Sequence, residues 1–188
     1  QMRQLRRIPQ LLRFVPGTAQ DVRAYYLTMQ YWLAGSEENI ASLVRLLVGR
    51  YGGLKQKVEA AAPVEYPETG LYHPDLPAPH FATELPALPR RGSQGRVGIV
   101  LMRSYLLGDN TAHYDAVIRA LEARGLDVVP AFAAGLDARP AIDRYFRAPA
   151  GEATIDVLVS LTGFSLVGGP AYNDSEAART ALAALDVP

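Results

Sequence analysis

Apolar residues follow two different periodicities along this chain, and the change falls near its middle. In residues 1–60 they recur at intervals of three and four positions, which is typical of helices that bury one face. In residues 96–188 they form short continuous runs that alternate with helical stretches, which is typical of buried parallel strands joined by helices. The pattern therefore predicts a helical segment followed by a parallel α/β domain.

The helical segment is expected to contain a hairpin of two helices at about residues 18–50. Thr18 is predicted to cap the first helix together with Asp21, Gly35 to end it, and Ser36 to cap the second. Residues 1–15 are also predicted to be helical, within the limits set by their prolines. The predicted buried stripes are Val22, Tyr25, Tyr26, Met29, Trp32 and Leu33 on the first helix and Ile40, Leu43, Val44, Leu47 and Val48 on the second.

Residues 61–95 separate the two regions and hold seven of the 14 prolines. Because proline interrupts helices and is disfavoured in central strands, this segment is predicted to be an extended connector. Its two histidines, His73 and His80, are expected to be solvated, since no third ligand lies at a spacing typical of a metal site.

Three apolar runs, at residues 97–102, 126–132 and 155–161, are predicted to be the strands of the α/β domain. Pro130 places the second strand near an edge or a strand end. With a helix after each strand, the expectation is a small Rossmann-like βαβαβα sheet with right-handed crossovers. The alternation calls for a further strand after residue 188, so the domain is expected to be truncated there and to belong to a longer polypeptide.

The composition narrows the possible classes of protein. The 188 residues include 19 basic and 19 acidic side chains and no cysteine. Zero net charge argues against general nucleic-acid binding, and no apolar run is long enough for a transmembrane helix. The absence of cysteine excludes disulfides and thiolate metal sites and fits a reducing compartment such as the cytoplasm. Basic residues concentrate in the first third, as a solvated helix face or as a docking surface for an acidic partner.

Candidate ligand-binding residues lie in the segments that follow the first and third predicted strands. In open parallel sheets ligands favour the loops at the carboxyl ends of the strands. An arginine there can bind a carboxylate or serve an internal ion pair, and a histidine at a helix start can contact a ligand or only backbone and solvent. The candidates are Arg103, Tyr105, Asn110, His113, Tyr114, Phe164 and Asn173.

Familiar catalytic and nucleotide-binding signatures are missing from the sequence. It has neither a phosphate-binding loop ending in Gly-Lys-Ser/Thr nor a Gly-x-Gly-x-x-Gly motif after a strand. The aromatic residues Tyr25, Tyr26, Tyr31 and Trp32 are suited either to a helical core or to stacking on a flat macrocycle. No catalytic residue and no metal-ligand set is assigned.

Several long strings of residues resemble a known family. They include Tyr31-Trp32-Leu33-Ala34-Gly35-Ser36-Glu37-Glu38-Asn39, Asn110-Thr111-Ala112-His113-Tyr114-Asp115, and residues 14–25, 101–105, 133–140 and 160–174. In this order they resemble the large porphyrin-binding subunits of magnesium chelatases. The strings span nearly the whole chain, so the resemblance is more specific than any short motif.

This resemblance implies a function that the composition alone does not. Enzymes of the family insert Mg²⁺ into protoporphyrin IX in chlorophyll and bacteriochlorophyll biosynthesis, and the large subunit binds the porphyrin. ATP is hydrolysed by partner subunits, an AAA+ ATPase and a middle, D-type subunit, which agrees with the missing phosphate loop. The chain would be an N-terminal-side part of such a large subunit, without a cofactor of its own and inactive alone.

Two alternatives remain open at this point. One is the large subunit of cobaltochelatase, which acts on a corrin precursor and Co²⁺ and shares the general architecture. The other is a structural or interaction module that contacts no tetrapyrrole.

Overall fold

The central strand of the molecule forms where the sequence has its first unbroken apolar run. In the computed structural model, which describes residues 7–56, 58–169 and 171–188, this run is β3 (Arg96–Met102), and five of its seven residues are buried. It pairs in parallel with β4 (Asp127–Ala133) on one side and with β5 (Val157–Ser160) on the other. The predicted α/β class with a parallel sheet is confirmed.

The sheet is larger than the sequence predicted, because the proline-rich segment contributes to it. β1 (Thr69–Tyr72) pairs antiparallel with β4, and β2 (Phe81–Ala82) pairs with β1. The strand order is β2-β1-β4-β3-β5, with five strands instead of three. β1 is a proline-free stretch whose last three residues are buried, so the density of prolines over the whole window hid a strand within it.

Pro130 consequently lies in an interior strand and not at the edge of the sheet, where the sequence placed it. β4 has a neighbour on both sides, but its pairing with β1 begins only at Ala131. Pro130 is therefore just beyond the last residue that pairs with the antiparallel neighbour, which is how a residue without an N–H is accommodated there.

Helices cover both faces of the sheet. Alternate residues of β3 point to opposite faces, so Ile99 and Leu101 pack against α5 (Ala112–Glu122), while Val100 belongs to the core of the other face. That second face is covered by α6 (Arg139–Tyr145) and α7 (Ser175–Leu185). Shorter elements complete this part of the chain: a 3₁₀ turn at Leu85–Ala87, α4 at Arg103–Leu107, and the hairpin of β6 (Gly168–Gly169) and β7 (Tyr172–Asn173).

The first third of the chain is helical. It contains α1 (Ile8–Leu11), a 3₁₀ turn (Leu12–Phe14), α2 (Ala19–Ala34) and α3 (Glu37–Tyr51). Gly35 ends α2 with a left-handed φ of 69°, and the Ser36 hydroxyl caps α3 by accepting a hydrogen bond from the Asn39 N–H. Thr18 does not cap α2 as the sequence predicted, and Asp21 instead accepts a hydrogen bond from Arg50. The part of the predicted first helix at residues 1–6 lies outside the described residues.

The faces that α2 and α3 bury are not the predicted ones. Tyr25 and Trp32 are 62% and 66% exposed, whereas Ala24, Leu27 and Tyr31 are buried. On α3 the buried residues are Asn39 and Ser42, while Val44, Leu47 and Val48 are exposed. The Asn39 amide both donates to and accepts from the backbone of Val64, so the chain after the hairpin covers a polar position and leaves the apolar stripes open.

Contacts between residues divide the chain into two compact units. The helical unit contains the chain up to Tyr66 together with Leu107–Asp109, and the sheet unit contains Pro67–Leu106 and Asn110–Pro188. Among the described residues, no helix is long and apolar enough to cross a membrane.

Candidate functional site

The candidate site is the edge of the sheet at which the parallel strands end. The chain leaves β3 to form β4 on one side and β5 on the other, so the segments after β3 and β5 diverge at this edge. Such a change of direction is the position at which open α/β sheets bind ligands. The segments that carry the predicted site residues therefore leave the sheet at the same edge.

Tyr114, one of the predicted site residues, holds the two strand ends together. Its side chain is fully buried, and its hydroxyl accepts a hydrogen bond from the Met102 N–H at 3.1 Å and donates a longer one to the Leu161 carbonyl at 3.5 Å. Burial raises the pKa of the Tyr114 hydroxyl, so it remains a protonated donor. This geometry makes Tyr114 part of the scaffold of the edge.

Tyr105 and His113 form an aromatic cluster with Tyr114. The His113 ring lies 4.0 Å from the Tyr114 ring and 5.4 Å from the Tyr105 ring, measured between centroids. Tyr105 is 43% exposed and His113 is exposed, so both present their rings to solvent beside the buried tyrosine. The cluster offers a partly apolar surface with one imidazole.

Arg103 and the two asparagines have different positions from this cluster. Arg103 is half-buried at the start of α4, and its Nε donates to the Pro67 carbonyl at 3.0 Å, so it fastens the segment before β1 to the end of β3. Asn110 is exposed, and its N–H donates to the Tyr105 carbonyl. Asn173 is exposed in β7, where it pairs with Gly168.

Phe164 lies beside a third segment, which the sequence analysis overlooked. It lines a small cavity with the ends of β3 and β4 and with residues 135–138, the segment that follows β4. The rule about carboxyl ends of strands applies to β4 as well and would have identified this segment. The cavity measures about 20 Å³, which is room for about one water molecule and no larger ligand.

The segment after β4 has its own internal ion pair. The Arg139 guanidinium donates two hydrogen bonds to the Asp137 carboxylate, at 2.7 and 2.9 Å, and lowers the pKa of that carboxyl. Because the carboxylate is already matched by this arginine, Asp137 is suited to shaping the loop.

His73 lies in the sheet unit but away from the solvent, contrary to the sequence expectation. Its side chain is fully buried, with Nδ1 accepting the Asp75 N–H, so that Nε2 donates to the Glu122 carboxylate at 2.9 Å. Arg119 and Arg91 contact the same carboxylate as well as Asp75. A connector histidine was predicted to be solvated because its partner Glu122 is distant in sequence. Within the described part of the chain, no cluster of histidine and acidic residues is arranged to hold a metal ion.

The fold and the sequence together define the class of protein. A family model described as CobN/Magnesium Chelatase matches residues 29–188, so the chain belongs to that family. The magnesium-chelatase H subunit of Cereibacter sphaeroides is 59% identical over the whole chain, and its namesake from Rhodobacter capsulatus is 56% identical. The chloroplastic magnesium-chelatase protein ChlH of rice is 36% identical over 98% of the chain.

The chain spans only 16% of the length of the two bacterial relatives and 14% of the rice one. Among solved structures, the catalytic subunit of cobaltochelatase from Mycobacterium tuberculosis is similar to 73% of this chain and 10% of that chain, at 21% identity and a TM-score of 0.48.

Proposed function

We propose that this chain is an N-terminal-side part of the large, porphyrin-binding subunit of a magnesium chelatase, which inserts Mg²⁺ into protoporphyrin IX. The observation that carries the proposal is the 59% identity, extending over every part of the chain, to a protein with that name. The whole enzyme would be an ATP-dependent ligase of bacteriochlorophyll biosynthesis in the cytoplasm of a bacterium, with an AAA+ ATPase and a D-type subunit as its partners.

The chemistry of the reaction explains why such a large subunit is long. Mg²⁺ loses its water shell reluctantly and prefers oxygen ligands, while the porphyrin offers four nitrogens and must lose two protons. A protein assists by excluding water, accepting those protons and holding the ring in the geometry of the product. The cavity described at the candidate edge is too small for a porphyrin, so within this chain the edge would support or contact the reaction chamber and not form it.

The exposed residues of the edge are the ones that we propose to contact the porphyrin or another part of the complete protein. Tyr105, His113 and Asn110 present side chains to solvent, whereas Arg103 and Tyr114 are committed to backbone groups. Replacing His113 with alanine in the complete large subunit should weaken porphyrin binding, measured by fluorescence-quenching titration. Ala116→Ser, at a half-buried or exposed turn of the same helix, would be a poor match, so Arg119→Lys, at an exposed arginine of α5, is the control. Equal affinity of His113→Ala and the unmodified protein would assign the edge to packing alone.

The reaction itself is tested with the complete large subunit and its partner subunits. Protoporphyrin IX with Mg²⁺ should give an ATP-dependent metalloporphyrin absorbance, whereas a corrin precursor with Co²⁺ should give no product. The opposite preference would identify a cobaltochelatase, and no product with either substrate would favour a structural module.

A further inference from the structure

The largest cavity described for the chain lies in the helical unit and not at the sheet edge. α1, α2, α3 and residues 60–63 surround a cleft of about 720 Å³, which we call the helical cleft. This volume is in the range of about 300–1,000 Å³ that is typical of small-molecule sites. It is more than large enough for an organic ligand, unlike the 20 Å³ cavity at the sheet edge.

Most of the lining of the helical cleft is apolar and partly rigid. Leu27 and Leu46 contribute aliphatic surface, and Phe14, which is 85% exposed, contributes an open aromatic ring. Tyr31 is buried, and its hydroxyl donates to the Ala61 carbonyl, so that residues 60–63 are held as one wall. An exposed aromatic ring beside a cavity of this size is unfavourable in water and suited to an apolar ligand.

The charged groups described for the helical cleft are all of one sign. Arg13 and Arg23 line it, and the described part of the lining contains no aspartate or glutamate. Arg23 is oriented by a hydrogen bond from its Nε to the Pro9 carbonyl at 3.0 Å, and the Arg13 guanidinium lies 5.7 Å from the centroid of the Phe14 ring. Over the ranges that the structure describes, neither guanidinium forms an ion pair. Both are therefore available to an anion.

A polar group of the lining is also unsatisfied. The Gln30 side chain lines the cleft, and its amide nitrogen is buried without a hydrogen-bond partner among the described residues. Buried donors are nearly always paired in folded proteins, so such an atom indicates a missing acceptor. A ligand oxygen in the cleft would supply it.

We propose that the helical cleft binds an apolar molecule that carries carboxylates, with Arg13 and Arg23 on the carboxylates and the apolar body against Phe14 and Leu27. Carboxylates fit because guanidinium groups bind them through two parallel hydrogen bonds, and the apolar lining disfavours a small inorganic anion. The choice of the first ligand rests on the proposed function, which supplies a tetrapyrrole with two carboxylates. A long-chain fatty acid shares the same chemistry and is the second ligand to test.

The experiment measures binding of protoporphyrin IX and of its dimethyl ester to the complete large subunit. The variant Arg13→Gln/Arg23→Gln should raise the dissociation constant of the free acid about tenfold or more, because two charge-assisted contacts are lost. The ester should bind more weakly to the unmodified protein and should not distinguish it from the variant. Arg45→Gln, at an arginine of α3 that does not line the cleft, should bind as the unmodified protein does.

Other outcomes separate the cleft from the proposed function. If the large subunit binds the porphyrin but the arginine variant has an unchanged affinity for it, the assignment of the porphyrin to the helical cleft is overturned and the proposed function stands. If the unmodified protein binds no porphyrin, the proposed function fails, and oleate binding decides the cleft: sensitivity to the arginine variant supports it, and insensitivity overturns it. Should the double variant not fold, Gln30→Glu places a carboxylate in the lining and should also weaken binding of the free acid, whereas unchanged binding would overturn the proposal.

Discussion

At the scale of single residues, Tyr114 shows how one buried side chain organises the edge of the sheet. Its hydroxyl lies between the Met102 N–H and the Leu161 carbonyl, the positions at which β3 and β5 end. Since burial keeps this hydroxyl protonated, it satisfies one donor and one acceptor at once. The aromatic cluster with Tyr105 and His113 is built on that anchored ring.

We expect Tyr114→Phe to lower the free energy of unfolding by about 1–3 kcal/mol, because the buried Met102 N–H loses its acceptor. Urea denaturation measures this loss, and faster hydrogen exchange of the Met102 amide would locate it. Tyr105→Phe is the matched control, since Tyr105 is 43% exposed, and should change stability by less than about 0.5 kcal/mol. Equal stability of Tyr114→Phe and the unmodified protein would mean that the hydrogen bonds contribute nothing.

At the scale of elements, an ion-pair network joins the loop after β1 to α5. Asp75, between β1 and β2, contacts Arg119 of α5, and Arg91 contacts both Asp75 and Glu122. Hydrogen bonds from Arg119 hold the pKa of the Asp75 carboxyl well below its usual range. A strand formed by a proline-rich segment is thus fastened to the helix that covers it.

Arg119→Gln should destabilise the protein at pH 7, with a difference that shrinks as the pH falls below about 4. The folded-state pKa of Asp75 is lowered, so its contribution is present above the unfolded pKa and is lost as the pH falls through the folded pKa. Urea denaturation at pH 7, 5 and 3 measures the difference. Arg124→Gln, on an arginine that donates to the Ala120 carbonyl of its own turn, is the control. A difference independent of pH would contradict this explanation.

Close contact between elements also depends on a glycine in β3. A Cβ built on Gly98 would lie 2.6 Å from the Ile155 side chain and 3.2 Å from the Phe146 ring. Gly98→Val should therefore cost about 1–3 kcal/mol through overpacking, and Gly98→Ala less, because the end of the isoleucine side chain can move. Thermal unfolding of both variants checks the order, and an equally stable Gly98→Val would show that the space is not filled.

At the scale of the whole molecule, apolar surface is unevenly distributed. The sheet unit buries its large apolar side chains on both faces of the sheet, but α2 leaves one face exposed, formed by Val22, Tyr25, Met29, Trp32 and Leu33. Patches of this kind are uncommon on the surface of a soluble monomer. The chain alone should therefore bind apolar dyes and self-associate.

In the chain of 188 residues, Met29→Gln/Trp32→Gln should lower the fluorescence of the dye ANS and reduce self-association in sedimentation velocity, with stability changed by less than about 0.5 kcal/mol. Leu27→Gln, on the buried face of the same helix, should leave the exposed patch intact and cost about 2–5 kcal/mol. If the two variants had the same effect on stability, the assignment of exposed and buried faces to α2 would be wrong.

The sequence by itself determined the α/β class, the three parallel strands and the family, because each depends on local runs of residues. The runs at 97–102, 126–132 and 155–161 mark β3, β4 and β5, and strings such as residues 31–39 carry the resemblance that the family model supports. Ser36 was likewise identified as a helix cap, since capping uses residues three positions apart.

Only the tertiary structure decided which apolar faces are buried and what the polar residues do. Trp32 is exposed, His73 is buried against Glu122, and β1 pairs with β4, and each of these facts depends on groups far apart in the sequence. Periodicity shows that a helix has an apolar stripe but not whether another segment covers it. Likewise, Tyr114 and Arg103 were expected to face a ligand, but backbone groups at Leu161 and Pro67, distant along the chain, engage their polar atoms.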